Sequence, residues 1–288
     1  MSSIPQSELI LNEDNSVYHL NLKPGDLATK IITVGDQDRV DQVAKYFDKI
    51  LLEKQSREFR TITGLIGKTP ISVISTGIGT DNIDIVLNEM DALFNIDLDT
   101  RQIKSQPISL KIMRLGTSGS IQSSVPIDSI VISERATGLE GLMHMYRYTE
   151  SSSEAVLSEA VRSIIPSGLR PITNTYSKKM GTYFTKTFTP VNTITATGFY
   201  APQGRQLRLT PAVDNLLTKL SEVKVGDQIL HNLEMETSGI YGLSRLLGHQ
   251  AISISAILAN RINHSFSKQP KLIVDKMIKA ALEQWESF

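Results

Sequence analysis

Glycine, hydroxyl and arginine residues follow several apolar runs of this sequence. The strings concerned are GDQDR (35–39), TGIGTDN (76–82), GTSGS (116–120), GFYAPQGRQ (198–206) and NRINH (260–264). Guanidinium groups match the geometry of phosphate and carbonyl oxygens, so Arg39, Arg114 and Arg261 indicate an anionic or carbonyl-rich ligand. A single arginine of this kind is more often a solvated or ion-paired surface residue. The prediction therefore depends on all five strings meeting at one place.

The apolar runs before these strings predict buried strands that would bring them together. They are IITV (31–34), ISVIS (71–75), KIMRL (111–115), SIVIS (129–133), TITAT (193–197) and AISISAIL (251–258). Several are too apolar for a sheet with one wet face. Alternation with segments of helical period predicts an α/β fold, a mixed central β-sheet flanked by helices. Ligands of such sheets bind beyond the carboxyl ends of the strands.

The starting points of two helices can be predicted. After IITV, apolar residues recur at helical spacing from Val40 to Phe47, with Asp36 as a plausible N-cap. A second helix begins at Pro270, which the first turn tolerates, and continues through Trp285 with apolar residues on one face.

Domain organisation is predicted to be simple. Residues 1–288 should form one domain, with 1–16 as an N-terminal extension and with 95–110 and 139–190 as irregular insertions. The segment GLIGKTP (64–70) should be a hairpin turn.

The composition of the chain limits the kinds of binding partner that can be expected. Thirty basic and thirty acidic residues give a formal net charge of zero, so a general basic field for nucleic acid or an anionic membrane is not expected. The absence of cysteine excludes disulfides, thiolate zinc sites and cysteine nucleophiles. The first thirty residues lack the pattern of a signal peptide, and no apolar run has the length of a membrane helix. We expect a cytoplasmic protein with a small-molecule ligand.

Two nucleotide-binding motifs are incomplete. A phosphate-binding loop ending at GKT would need glycine where Ile62 stands, and a dinucleotide fingerprint in TGIGTDN would need a third glycine at Asn82. The histidines show no metal-binding spacing.

Eight strings, taken in order, carry a resemblance to a known family. They are VYHLNL, VGDQDRV, SREF, STGIG, MRLGTSGSIQ, FYAPQGR, NLEMET and ILANR. Together they resemble the nucleoside phosphorylases of the trimeric and hexameric type, and within these the uridine phosphorylases. The resemblance implies the nucleoside phosphorylase fold and attack of inorganic phosphate on C1′ of a nucleoside, which releases the base. No organic cofactor is implied.

Phosphate binding is implied for residues from two subunits. Gly35, Arg39, Arg114 and Thr117 would come from one chain, and Arg57 of SREF would come from a neighbouring subunit. These residue types suit an oxyanion, which needs positive charge and hydrogen-bond donors. The resemblance thus predicts a homo-oligomer.

Ribose binding is implied for the Glu-Met-Glu motif. Glu236 would accept hydrogen bonds from the 2′ and 3′ hydroxyls and Met235 would pack against the sugar, with Glu234 a weaker candidate. His19 of a partner subunit would approach the 5′-hydroxyl.

The expected base is a pyrimidine. Purine-cleaving relatives supply an aspartic acid that protonates the leaving base, whereas this chain has Asn260 and Arg261 at that place. Uracil can leave as a delocalised anion, for which hydrogen-bond donors suffice. By resemblance, Gln203 would read O2 and N3, Arg205 would donate to O4 and Phe199 would stack on the ring. Ser118, Gly119, Ile257, Leu258 and Arg261 would complete this end of the site.

The resemblance assigns catalytic roles to Arg114, Thr117 and Arg205.

The metal content, the exact activity and the oligomeric state stay open. No metal is expected, although relatives form a monovalent-cation site around the residues that correspond to Glu58 and Ile78. A purine nucleoside phosphorylase, a nucleosidase that uses water, and a nucleoside-binding protein without turnover are the alternatives. Dimer and hexamer are both compatible with the sequence.

Overall fold

The computed structural model describes residues 3–288, and a mixed β-sheet forms its centre. The strands are β1 (Lys30–Val34), β2 (Lys49–Ser56), β3 (Phe59–Ile66), β4 (Thr69–Ser75), β5 (Ile96–Asp97), β6 (Gln102–Ile103), β7 (Lys111–Ser120), β8 (Ile130–Gly138), β9 (Ile172–Thr175), β10 (Thr189–Thr195), β11 (Lys224–Val225), β12 (Gln228–Ile229), β13 (Asn232–Glu234), β14 (Gln250–Asn260) and β15 (Ser265–Phe266). The helices are α1 (Gln37–Ala44), α2 (Thr80–Asn95), α3 (Ser152–Arg162), α4 (Lys178–Phe184), α5 (Leu216–Ser221), α6 (Thr237–Leu246) and α7 (Pro270–Ser287). Short 3₁₀ turns cover Leu142–Met145 and Ala201–Gln203.

Five strands of this sheet close into a ring. β7 pairs with β14, β14 with β8, β8 with β10, β10 with β13, and β13 returns to β7. β1 pairs with the first half of β7 and continues the sheet through β4, β3 and β2. The predicted α/β fold with a mixed central sheet is confirmed.

Helices cover both faces of the sheet. The adjacent residues Ile31 and Ile32 of β1 point to opposite faces and belong to different buried clusters. The Ile32 cluster contains apolar residues of α1, α4 and α7, and the Ile31 cluster contains those of α2 and α6. Sheet strands buried on both sides explain why the sequence runs were almost wholly apolar.

The predicted helix starts are confirmed, although α1 ends at Ala44 and Phe47 lies beyond it. Asp36 caps α1, and its carboxylate accepts a hydrogen bond from the backbone N–H of Arg39. Pro270 begins α7, whose buried face extends from Ile273 to Trp285. Between β3 and β4 the chain turns at Gly67, whose φ of +57° suits glycine, so the predicted hairpin is also present.

Strand β7 is longer than the sequence indicated. Its parallel pairing with β14 continues to Ser120, so GTSGS lies within the strand, and Arg114 is not at a strand end as predicted. Gly116 explains how so large a side chain fits there. A Cβ atom at this glycine would lie 2.0 Å from Nη1 of Arg114, so the guanidinium group occupies the space that a side chain at position 116 would need.

The segments predicted to be irregular contain regular structure. Residues 95–110 include the β5–β6 hairpin, and 139–190 include α3, β9 and α4, with β9 paired to β8 in the central sheet. The sequence signal was present in α3, where Ser151 and Glu154 form a capping box before the buried residues Leu157 and Val161. The irregular structure predicted for both segments is therefore wrong, while their status as insertions, like the N-terminal extension 1–16, stays a prediction.

Within residues 3–288, no helix is both long and apolar enough to cross a membrane.

Candidate active site

A cavity of about 300 Å³ lies at the carboxyl ends of β1, β10, β13 and β14, beside the second half of β7. The predicted site residues that line it are Gly35, Arg39, Ile78, Arg114, Thr117, Ser118, Gly119, Phe199, Gln203, Arg205, Glu234, Met235, Glu236 and Leu258. Strand ends that are far apart in sequence thus meet at one cavity, as expected for an α/β sheet. His19, Arg57, Ile257 and Arg261 do not line it.

A buried ion pair forms the centre of this cavity. Nη2 of Arg114 lies 2.6 Å from Oε2 of Glu236 and 3.2 Å from Oε2 of Glu234. Burial lowers the pKa of Arg114, but the two carboxylates outweigh this effect and raise the pKa above its ordinary value. Arg114 is therefore a fixed and buried positive charge.

Two serines of β14 support the Arg114 side chain. Nη1 of Arg114 lies 3.4 Å from Oγ of Ser253 and 3.3 Å from Oγ of Ser255. The two hydroxyls alternate with apolar residues along the strand, so they share the face toward Arg114. The sequence reading missed both serines, although their spacing of two residues in ISIS was a visible signal.

Glu234 sets the position of Glu236. Its Oε2 accepts the backbone N–H groups of Glu236 and Thr237, each at 2.9 Å, and its Oε1 accepts the hydroxyl of Thr195 at 2.6 Å. These bonds hold the first turn of α6 and direct Glu236 into the cavity. Oε1 of Glu236 accepts the N–H of Gly79 at 2.8 Å, so each of its oxygens already has one donor. The remaining lone pairs can accept bonds from a diol.

A second arginine lies at the N-terminus of α1. Nη2 of Arg39 is 2.9 Å from Oδ2 of Asp36, and its Nε is buried without a hydrogen-bond partner. Burial lowers the pKa of Arg39, and the charge of Arg114 lowers it further, against the opposite effect of Asp36. Two guanidinium groups that disfavour each other's charge, next to a helix N-terminus, favour an anion between them.

Phe199, Gln203 and Arg205 form another end of the cavity. The guanidinium carbon of Arg205 lies 3.7 Å from the centroid of the Phe199 ring, and its Nη1 donates to the carbonyl oxygen of Phe199 at 2.6 Å. The same nitrogen donates to Oε1 of Gln203 at 2.7 Å. Burial, and then the nearby charge of Arg261, lower the pKa of Arg205 to about 10. This end can stack on a flat ring and donate hydrogen bonds to carbonyl oxygens.

Asn260 is occupied by its own turn. Its amide donates to the carbonyl oxygens of Gln122 and Val125 at 2.8 and 3.1 Å, and its Oδ1 accepts the N–H groups of Ile262 and Asn263. The side chain is therefore held away from the cavity lining.

Arg261 lies behind the cavity wall, whereas Ser118 belongs to the lining. Nη1 of Arg261 lies 3.3 Å from the carbonyl oxygen of Gln203, and a Cβ atom at Gly119 would lie 3.5 Å from its Cγ. Burial lowers the pKa of Arg261. The hydroxyl of Ser118 donates to the carbonyl oxygen of Leu233 and accepts from the amide of Asn232. Both side chains brace the elements that carry the lining residues.

His19 and Arg57 lie together on a surface patch outside the cavity of their own chain. The Arg57 guanidinium is 5.5 Å from the centroid of the Tyr18 ring, and this ring meets that of His19 edge to face at 4.9 Å. The backbone oxygen of Arg57 accepts a bond from the Gln37 amide, which places the patch next to α1 and the arginine end of the cavity. The pairing of two residues 38 positions apart could not be read from the sequence.

Phe266 of β15 lines the cavity although 62% of its surface is exposed, and nothing in the sequence indicated this. Among the described residues, no group of three or more histidine, aspartate or glutamate side chains is arranged to hold a metal ion. Glu58 and Ile78 are both exposed, with Glu58 beside Gly77.

The cavity thus has three regions, each suited to a different part of a ligand. Arg39 and Arg114 can hold an oxyanion, Glu236 can hold a pair of hydroxyls, and the Phe199–Arg205 end can hold a flat ring with carbonyl groups. Because Arg114 and Glu236 are bonded to each other, the anion and the hydroxyls would be neighbours.

Comparison with known proteins identifies the family of this chain. The pattern of the Phosphorylase superfamily matches residues 29–283. A uridine phosphorylase of Thermococcus kodakarensis is 28% identical over 281 residues, which cover 95% of this chain and 89% of that protein. A DeoD-type purine nucleoside phosphorylase of Buchnera aphidicola is 26% identical over 278 residues, 93% of this chain and 98% of its own length.

The solved structure of a Trypanosoma brucei nucleoside phosphorylase, which shows uridine phosphorylase activity, superposes with a TM-score of 0.90. It is 29% identical, and the match covers 97% of this chain and 100% of the other. The chain therefore belongs to the Phosphorylase superfamily and has the fold of its nucleoside phosphorylases.

Proposed function

We propose that this protein is a uridine phosphorylase, which converts uridine and inorganic phosphate reversibly to uracil and ribose 1-phosphate. The observation that carries the proposal is the donor-rich end of the cavity. Gln203 and Arg205 face the space beside Phe199, and the side chain of Asn260 is occupied elsewhere. A leaving group that needs only hydrogen-bond donors, such as the uracil anion, suits this end.

Phosphate would bind between Arg39 and Arg114, with the backbone of Gly35 and the hydroxyl of Thr117 as further donors. Two guanidinium groups orient the oxyanion and favour its dianion, so that an oxygen without a proton can attack C1′. In the reaction, a C–O bond forms at C1′ while the bond from C1′ to N1 of uracil breaks. The electron pair of the broken bond leaves with the base.

Ribose would bind against Met235 with its 2′ and 3′ hydroxyls on Glu236. The anomeric carbon gains positive charge as the glycosidic bond weakens, and a nearby carboxylate stabilises that charge. Gly79 and Arg114 hold the carboxylate in place before the substrate arrives, so little reorganisation is needed.

Uracil would lie on Phe199, with Gln203 at O2 and N3 and Arg205 at O4. The negative charge that develops on the base spreads to its carbonyl oxygens, where the guanidinium of Arg205 stabilises it. Arg114, Thr117 and Arg205 are the proposed catalytic residues. Inorganic phosphate is the co-substrate.

The proposed site includes a neighbouring subunit. Arg57 would reach the phosphate and His19 the 5′-hydroxyl in the cavity of the partner. Support comes from the surface patch that joins the two side chains through Tyr18, next to α1. An isologous contact would place one such patch at each of two cavities. We further propose a cytoplasmic homo-oligomer, and a monovalent cation near Glu58 and Ile78 remains part of this hypothesis.

A purine substrate is the second candidate, because purine nucleoside phosphorylases are among the relatives. The deciding experiment measures release of base from uridine and from inosine, each with and without inorganic phosphate. Phosphate-dependent release of uracil is the expected result. Phosphate-dependent release of hypoxanthine alone would contradict the proposal, as would release that needs no phosphate. Binding of uridine without turnover would indicate a non-catalytic protein.

A further inference from the structure

One carboxylate of helix α2 binds three donors of the segment that carries His19. Oε1 of Glu89 lies 2.6 Å from Nδ1 of His19 and 3.0 Å from its backbone nitrogen. Oε2 of Glu89 lies 2.9 Å from the backbone nitrogen of Leu20. The side chain of Glu89 is 14% exposed and that of His19 is 28% exposed, so the contact is largely shielded from water.

This contact determines which nitrogen of His19 carries the proton. An ionised carboxylate only accepts hydrogen bonds, so Nδ1 must be the donor. In the neutral imidazole, Nε2 is then an acceptor. The ring orientation is fixed as well, because Nδ1 is bonded to Glu89 and the Tyr18 ring packs edge to face against the imidazole.

We propose that Glu89 is a positioning residue for catalysis, which fixes His19 so that Nε2 accepts the hydrogen of the substrate's 5′-hydroxyl. The inference rests on the proposed function and on the proposed delivery of His19 to a neighbouring subunit. The inference predicts that the enzyme prefers nucleosides with a free 5′-hydroxyl. Glu89 would contribute to this preference through His19, without contact to the substrate.

The substitution Glu89→Gln tests the tautomer directly. An amide has one acceptor oxygen, and its nitrogen cannot accept a hydrogen bond, so it cannot serve all three donors. If the oxygen retains the backbone N–H groups, the amide nitrogen faces Nδ1 and donates to it, and His19 must then carry its proton on Nε2. Nε2 of His19, which accepts the hydrogen of the 5′-hydroxyl in the wild type, would then be a hydrogen-bond donor.

The experiment measures kcat and KM of phosphorolysis for uridine and for 5′-deoxyuridine. It compares wild type, Glu89→Gln, His19→Ala, the double variant, and Asp84→Asn as a control that removes a different carboxylate from α2. Asp84 bonds to Tyr146 and Asn88 and not to His19. We expect Glu89→Gln to lower kcat/KM for uridine about five- to tenfold, because the 5′-hydroxyl must reverse its bond to His19 and the ring loses its bond to a charged carboxylate. The kcat/KM for 5′-deoxyuridine should not change.

The double variant separates positioning from folding. In the His19→Ala background, Glu89→Gln should cause no further loss, because the side chain that it positions is absent. Equal losses for both nucleosides, or an additional loss in the His19→Ala background, would show a structural role and overturn the inference. Wild-type turnover of uridine checks the proposed function separately. If wild type is active and His19→Ala is impaired while Glu89→Gln is normal, only the role of Glu89 fails.

Discussion

Arg114 and Glu236 form a buried ion pair with 2.6 Å between Nη2 and Oε2, and this pair joins two parts of the cavity. The side chains are only 8% and 7% exposed. Each charge is the main partner of the other, and Glu234 is a second acid at 3.2 Å from Arg114. Phosphate on one side and ribose hydroxyls on the other would extend this network without breaking it.

Removal of the arginine should therefore affect both stability and activity. Arg114→Ala leaves Glu234 and Glu236 buried without a cation, which should lower the free energy of unfolding by about 3 kcal/mol. Phosphorolysis should fall at least ~10³-fold, because a donor to the reacting anion is lost. Urea unfolding and steady-state kinetics measure the two effects. Adding Glu236→Gln should recover part of the stability and none of the activity; an unfolding free energy equal to wild type in Arg114→Ala would contradict the ion-pair argument.

The base end can be tested with a substitution that keeps the charge. Arg205→Lys loses the planar group that stacks on Phe199 and binds Gln203. We expect kcat/KM for uridine to fall about 10- to 100-fold while KM for phosphate changes little. The exposed Arg208, three residues later, provides the control variant Arg208→Lys. An increase of about 10- to 100-fold in the KM for phosphate in Arg205→Lys would mean that Arg205 does not act on the base alone.

Acid stability should depend on Glu154 at the start of α3. Burial raises its pKa, but bonds from Arg245, Ser151 and Thr175 dominate and lower the pKa from 4.5 to about 2. A lowered pKa stabilises the folded state above pH 4.5, and this contribution disappears as the pH falls toward 2. Glu154→Gln should thus cost about 2 kcal/mol at pH 7 and progressively less below pH 4.5.

Urea midpoints at pH 7, and at intervals down to the lowest pH at which wild type folds, measure this convergence. Glu159→Gln is the matched control, since Glu159 lies on the same helix with 74% of its side chain exposed. A Glu154→Gln difference that stays constant through the acid range would show that the charge of Glu154 does not stabilise the fold.

Local sequence signals predicted much of this protein for identifiable reasons. Strand runs, the Asp36 cap and the Pro270 helix start depend on neighbouring residues, and the structure has all three. The length of β7 depends instead on its pairing with β14, about 140 residues away, which no window of sequence contains. Gly116 leaves room for the side chain of Arg114, and this role depends on the path of that side chain, which the sequence does not show.

The site shows the same division between local and distant information. The five strings that follow predicted strands could be placed at one sheet edge from the sequence, and four of them contribute residues to the cavity, NRINH being the exception. Glu89 gave no signal, because its partner His19 is 70 residues away and Glu89 belongs to none of the motifs found in the sequence. Contacts between side chains from separate helices and strands therefore became visible only in the structure.

The proposed subunit arrangement predicts that two inactive variants restore each other. Arg57→Ala damages the site of the neighbouring chain, whereas Glu236→Gln damages the site of its own chain. In a mixed pair, the Arg57→Ala chain keeps its own Glu236 and receives an intact Arg57 from its partner, so one of the two sites is complete. Random reassociation of equal amounts should then give about a quarter of wild-type activity in the whole mixture, and about half in the isolated mixed pairs. Co-expression with different affinity tags, followed by kinetics of the doubly tagged fraction, measures this. If Arg57 acted within its own chain, every mixed site would carry a defect, and activity would stay at the level of the separate variants.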